Sequence, residues 1–129
     1  MIKENKSMDS NQIKIFEKLL NSTTKAGLLN IDAEDIQHFL KDAKSITIRS
    51  VNIKEATKEA VEKSGILTDE LQKAQKCIIS ITANASITLA NIDTIVGTIS
   101  EFHKCECIFS VLYDEHQKGF QIDNFLAKI

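Results

Sequence analysis

The feature that most constrains this chain is the run Cys77-Ile78-Ile79-Ser80-Ile81-Thr82, nearly unbroken in apolar and β-branched side chains. A strand of that kind has no polar face to turn to water, so it belongs inside a sheet covered on both sides. After a turn at Asn84-Ala85-Ser86, the residues Leu89, Ile92, Ile95, Val96, Ile99 and Phe102 recur at helical spacing. Two further strands are predicted, from Cys105 to Tyr113 and from Phe120 to Ala127, with 114–119 as a hairpin connection between them. Upstream, Ser45 to Val51 alternates Ile46 and Ile48 with Thr47 and Arg49, the pattern of a half-buried strand. The helix that follows places Ile53, Ala56, Thr57, Ala60, Val61 and Ser64 on one face and ends at Gly65.

Nearer the start, Ile13, Phe16, Leu19 and Leu20 mark an amphipathic helix from Ser10 to about Thr23, after a polar and flexible lead-in over 1–9. Thr24 to Ile31 reads as a connector, with Gly27 placed where a helix often ends in a left-handed residue. A short helix from Asp32 to about Lys41 carries Ile36, Phe39 and Leu40. The predicted order is α-α-β-α-β-α-β-β. One mixed four-stranded sheet with helices packed on it, an α/β sandwich, gives every amphipathic face a partner.

At 129 residues the chain is long enough to bury a core of its own. Its net charge is −2, and lysines alternate with acids as in Lys54-Glu55 and Lys58-Glu59, so no basic stripe exists to hold nucleic acid. No apolar run is long enough to span a bilayer, and Met1 to Gln12 has no apolar signal core, so a cytoplasmic location without direct membrane contact is expected. Three cysteines, an odd number, do not suggest a disulfide framework.

The run Ala26-Gly27-Leu28-Leu29-Asn30-Ile31-Asp32 resembles the "PGLINVD" loop of the FtsZ/tubulin family, the bacterial cell-division GTPases, where it is called the synergy loop. Ile79-Ser80-Ile81-Thr82-Ala83 resembles that family's "VNITAG" strand end, and Leu89 through Phe102, with Val96-Gly97-Thr98-Ile99, resembles its "LDEFETVGNTIRAF" helix. The resemblance runs from about Ser10 to Ile129, in order and with family spacing. It implies a linking helix and synergy-type loop over 10–31, the end of the family's central helix included. An FtsZ C-terminal-like α/β domain would then follow over 32–129. Departures include Ala33 where the family has a bulky residue, Glu34 as an added acid, and Asn84 in place of the strand-end glycine.

The resemblance also implies a division of labour. In the family the loop carboxylates enter a neighbouring subunit's GTP pocket. Asp32 and Asp35 are by this likeness a catalytic pair acting in trans, and Asn30 a positioning residue. The chemistry suits them, because a carboxylate can orient an attacking water and accept its proton. The four glycines, at 27, 65, 97 and 119, cannot build a glycine-rich phosphate cradle. The chain alone is therefore expected not to be an enzyme and to hold no cofactor, with GTP and magnesium confined to a partner subunit. That partner is an FtsZ-type GTPase subunit or a second copy of this chain. Read locally, Asp32 and Asp35 also fit an ordinary helix start, capping free amides and complementing the helix dipole.

His103-Lys104-Cys105-Glu106-Cys107 invites a metal reading, since Cys105 and Cys107 share one face of a strand. With no second ligand pair at a suitable spacing and Cys77 isolated in sequence, the cysteines are expected as small buried apolar residues and no metal site is assigned. His38 and His116 have no neighbouring nucleophile and are expected at the surface or in packing. Two functions stay open: a docking module for an FtsZ-type subunit, which caps filaments or stimulates hydrolysis, and a small regulatory or metabolite-binding sandwich acting as a homo-oligomer.

Overall fold

The computed structural model describes residues 27–29, 38–39, 41, 43–103 and 107–128. The elements in chain order are β1 (Gly27–Leu29), β2 (Ser45–Ile53), α1 (Lys58–Lys63), α2 (Asp69–Lys73), β3 (Lys76–Ala83), α3 (Leu89–His103), β4 (Cys107–Tyr113) and β5 (Phe120–Lys128). The strands form one mixed sheet in the order β1-β4-β3-β5-β2. β3 and β4 run parallel, joined by α3, and every other neighbouring pair is antiparallel. The expected sheet of four is present, and β1 adds a short fifth strand at its edge. The predicted first helix, Ser10 to about Thr23, lies outside the described residues. His38, Phe39 and Lys41, from the second predicted helix, are helical.

β3 sits at the centre because its residues leave no choice: it is buried from Cys77 to Ala83. Alternation sends Cys77, Ile79 and Ile81 to one face, in register with Cys107, Phe109 and Val111 of β4 and with Leu126, Asn124 and Ile122 of β5. That face is closed by helices, and its core gathers Ile53, Val61, Ile66, Leu71, Ile92, Ile95 and Ile99 around the strand residues. α3 buries Ile92, Ile95, Ile99 and His103, spaced three and four apart as one helix face requires. Thr88 and Asn91 start it by exchanging side chain-to-backbone hydrogen bonds of 3.0 and 3.1 Å, a reciprocal cap for two free amides.

α1 begins where Thr57 accepts from the Ala60 amide at 3.0 Å, and a turn at Gly65 with φ of 88° follows it. α2 begins where Thr68 accepts from the Leu71 amide at 3.1 Å. Five residues show too little periodicity to announce a helix, and only the Thr68-Asp69-Glu70 start carried the signal for α2. Ile53, expected on the face of α1, is instead the last residue of β2, opposite Phe120.

Two connections differ from the reading of the sequence. Gly27–Leu29, expected within a connector, pairs with the outer edge of β4 and so covers backbone groups that an edge strand leaves open. The segment 114–119 is not a hairpin, because β4 and β5 lie on opposite sides of β3. A strand buried on both faces sits inside the sheet with a neighbour on each edge, so the chain crosses the end of β3 rather than folding straight back. The crossing is held by the Asp114 amide donating to the Ala83 carbonyl at 3.0 Å and by Asn84 Nδ2 donating to the Gln117 carbonyl at 3.2 Å. It closes at Gly119, φ 68°, where a Cβ would collide with the Ile53 carbonyl oxygen.

Candidate functional site

β1 is the structural foothold of the loop that the sequence singled out. Gly27 and Leu29 pair with Leu112 and Val111, and the register shifts between the two pairs. Leu29 is thus tied to the sheet one residue before Asn30. Asn30, Asp32 and Asp35, together with Glu34, lie outside the described residues, so their mutual geometry forms no part of the site below. Where the chain is described again, His38 is exposed and Phe39 buried, as the predicted apolar face of that short helix requires. His116 is also exposed, with Nε2 3.5 Å from a Glu115 carboxylate oxygen.

Clefts open on the described surface, two of them beside the helices and the end of β3. One of about 220 Å³ lies where α1, α2 and α3 meet and is lined by Lys58, Glu62, Gln72 and Glu101 with Leu67, Thr98 and Phe102. The other, about 190 Å³, lies beside the crossing at the end of β3 and includes Lys54, Asn84, Ser86 and Phe120. Neither lining brings a nucleophile to a base, and neither contains the paired groups that general acid–base chemistry needs.

A third cluster does concentrate reactive side chains. Cys77 is the second residue of β3, Cys107 is its in-register partner at the start of β4, and His103 is the last residue of α3. The β3-α3-β4 unit therefore brings Cys77 onto His103 and Cys107, which are four residues apart in sequence. Their ligand atoms lie within 4.8 Å of one another. His103 Nε2 is 2.7 Å from the Ala74 carbonyl oxygen and Nδ1 is 3.6 Å from Cys107 Sγ. A carbonyl can only accept, so Nε2 carries a proton, and Nδ1 is the ring nitrogen that faces Cys107 Sγ. The two thiols are driven apart in acidity. Cys77 is pushed up, first by its hydrogen bond to Cys107, then by burial and by the charge on Cys107. Cys107 is pulled down, first by that same bond from Cys77 and further by Ser100 and His103, while its partial burial opposes the shift. His103 and Cys107 already invite a metal reading in the sequence, together with Cys105, which lies outside the described residues; nothing local joins Cys77 to them, and only the pairing of β3 with β4 does.

Comparison with known structures bears on the fold as a whole. An FtsZ from M. jannaschii, solved as an empty dimer, superposes with a TM-score of 0.74 over 95% of this chain and 38% of its own, at 22% identity. The chain has the fold of an FtsZ C-terminal domain. CetZ from Methanosaeta thermophila superposes at 0.63 with 11% identity over 88% of this chain and 34% of its own. TubZ from Bacillus thuringiensis serovar israelensis, solved as GDP-form protofilaments, gives 0.63 and 12% over 91% and 34%. This chain thus spans well under half the length of the FtsZ-type structures it matches. No family model and no curated protein matches the sequence. Among the described residues, no helix is long and apolar enough to cross a membrane.

Proposed function

We propose that this chain is a cytoplasmic interaction module of the FtsZ/tubulin type, acting in cell division by docking on the nucleotide-binding face of an FtsZ-type GTPase subunit. The observation that carries the reading is the superposition of 95% of this chain on 38% of an FtsZ, at a TM-score of 0.74. The residues that resemble the synergy loop support it, since they begin where β1 ties the chain to the sheet edge. The partner supplies GTP and magnesium. From this chain, Asp32 and Asp35 orient the attacking water and take up its proton, while Asn30 fixes the loop against the nucleotide. Docking on that face also caps the filament that the module joins.

The test is steady-state GTP turnover by the cognate FtsZ-type polymer as this protein is titrated in, beside its Asp32→Ala/Asp35→Ala variant. A rise in turnover that the variant loses is the result expected of carboxylates donated in trans. A fall with both proteins identifies a filament cap whose carboxylates are idle. Unchanged turnover with both overturns the docking reading.

A further inference from the structure

We propose that Cys77, His103 and Cys107 form a zinc site that pins the start of β3, the end of α3 and the start of β4 together. Three features of the cluster point to a metal. The first is the orientation of His103: Nε2 is engaged by the Ala74 carbonyl at 2.7 Å, which leaves Nδ1, 3.6 Å from Cys107 Sγ, as the ring nitrogen placed to bind a metal once its proton is displaced. A backbone carbonyl behind a histidine is the usual outer support of a metal ligand, because it holds both tautomer and ring plane. The second is spacing. In a tetrahedral centre with a sulfur at about 2.3 Å and a nitrogen at about 2.0 Å, the two ligand atoms stand about 3.5 Å apart. The observed separation of Cys107 Sγ and His103 Nδ1 is 3.6 Å, and all three ligand atoms fall within 4.8 Å.

The third feature is charge. Cys77 and His103 are each 2% exposed, beside a core of isoleucines, so a net charge there would be costly. Two thiolates and a neutral imidazole cancel the charge of one divalent ion. The donor set is soft, which selects zinc over calcium or magnesium, and with three protein ligands among the described residues the proposed site takes water as its fourth. Cys107 is only half-buried, so exchange with solvent has a route on that side. The proposal stands independently of any docking on a GTPase subunit.

The experiment is titration of the reduced, metal-free protein with cobalt(II), followed by displacement with zinc. It is run on the native chain and on a Cys105→Ser variant, in which Cys77 and Cys107 are the only thiols. The expected result for both is one equivalent bound, with tetrahedral and thiolate-to-cobalt absorption bands that zinc abolishes. Cys77→Ser/Cys107→Ser removes those bands. Because that double variant is subject to misfolding, thiol alkylation of the native protein supplies a second reading: zinc slows it at least tenfold and a chelator restores it. Absence of the bands from the Cys105→Ser protein overturns the proposal, as does an alkylation rate that zinc leaves unchanged. Retention of full binding by a folded Cys77→Ser/Cys107→Ser protein overturns it as well.

Discussion

The two faces of the central sheet are buried by different means. On the helix-covered face, Ile79, Ile81, Ile122 and Leu126 share a core with Val61 of α1, Leu71 of α2 and Ile92, Ile95 and Ile99 of α3. On the other face, one row across four strands is polar: Ser110 of β4, Ser80 of β3, Asp123 of β5 and Ser50 of β2 stand in register. All but Ser50 are buried. Ser50 Oγ donates to Asp123 Oδ1 at 2.6 Å, Gln121 Nε2 donates to the same carboxylate at 3.3 Å, and Ser110 Oγ stands 3.5 Å from Ser80 Oγ. One face is held by shape and the exclusion of water, the other in part by hydrogen bonds whose loss strands a buried carboxylate. The lesson is that the same strand serves both. β3 presents Ile79 and Ile81 to one side and Ser80 and Thr82 to the other, and a shift of register by one residue would exchange the two environments.

That contrast can be broken residue by residue. The largest effect is expected from Ile81→Ala on the helix face, which leaves a cavity that packed isoleucines cannot fill and costs about 3 kcal/mol. Denaturant unfolding at constant slope is the check. Asp123→Ala on the opposite face should cost about 2 kcal/mol, because it empties a buried position and removes the acceptor that Ser50 and Gln121 share; Ser50→Ala should cost distinctly less in the same assay, because Gln121 still donates to the carboxylate. Equal losses at Asp123 and Ser50 would mean that the polar row is not a network.

Thr57→Ala should remove about 1 kcal/mol by freeing the Ala60 amide at the start of α1, and Thr57→Ser should restore most of it. The smallest change sharpens the contrast from the other direction. Asn124 sits on the helix-covered face, opposite Ile79, and neither its amide nitrogen nor its oxygen has a hydrogen-bond partner among the described residues. Asn124→Val should leave the melting temperature unchanged or raise it, since it deletes an unsatisfied polar group from an apolar face and adds a residue suited to a strand. A marked fall would show that Asn124 has a partner in solution.

Where local pattern carried the information, the sequence was enough. The apolar run at Cys77–Thr82 placed the central strand, and the spacing of Ile92, Ile95 and Ile99 placed the long helix. Sheet order was less legible. Chain adjacency favours a hairpin between β4 and β5, and only the demand of β3 for a neighbour on both edges separates them. α2 was too short for its period to show. The thiol–imidazole cluster depends on the same pairing, so Cys77 looked solitary until β3 was set beside β4. The loop carboxylates are the reverse case: Asn30, Asp32 and Asp35 were singled out by likeness of sequence, while β1 is what the structure contributes to their account.

The most direct measurement is binding of this chain, labelled at a surface site on α1 such as Glu62, to a cognate FtsZ-type subunit loaded with a non-hydrolysable GTP analogue. Fluorescence anisotropy would follow complex formation. The account predicts a saturable one-to-one complex that requires the nucleotide and weakens on Asp32→Ala/Asp35→Ala substitution. No binding, or binding indifferent to both nucleotide and loop, would contradict it.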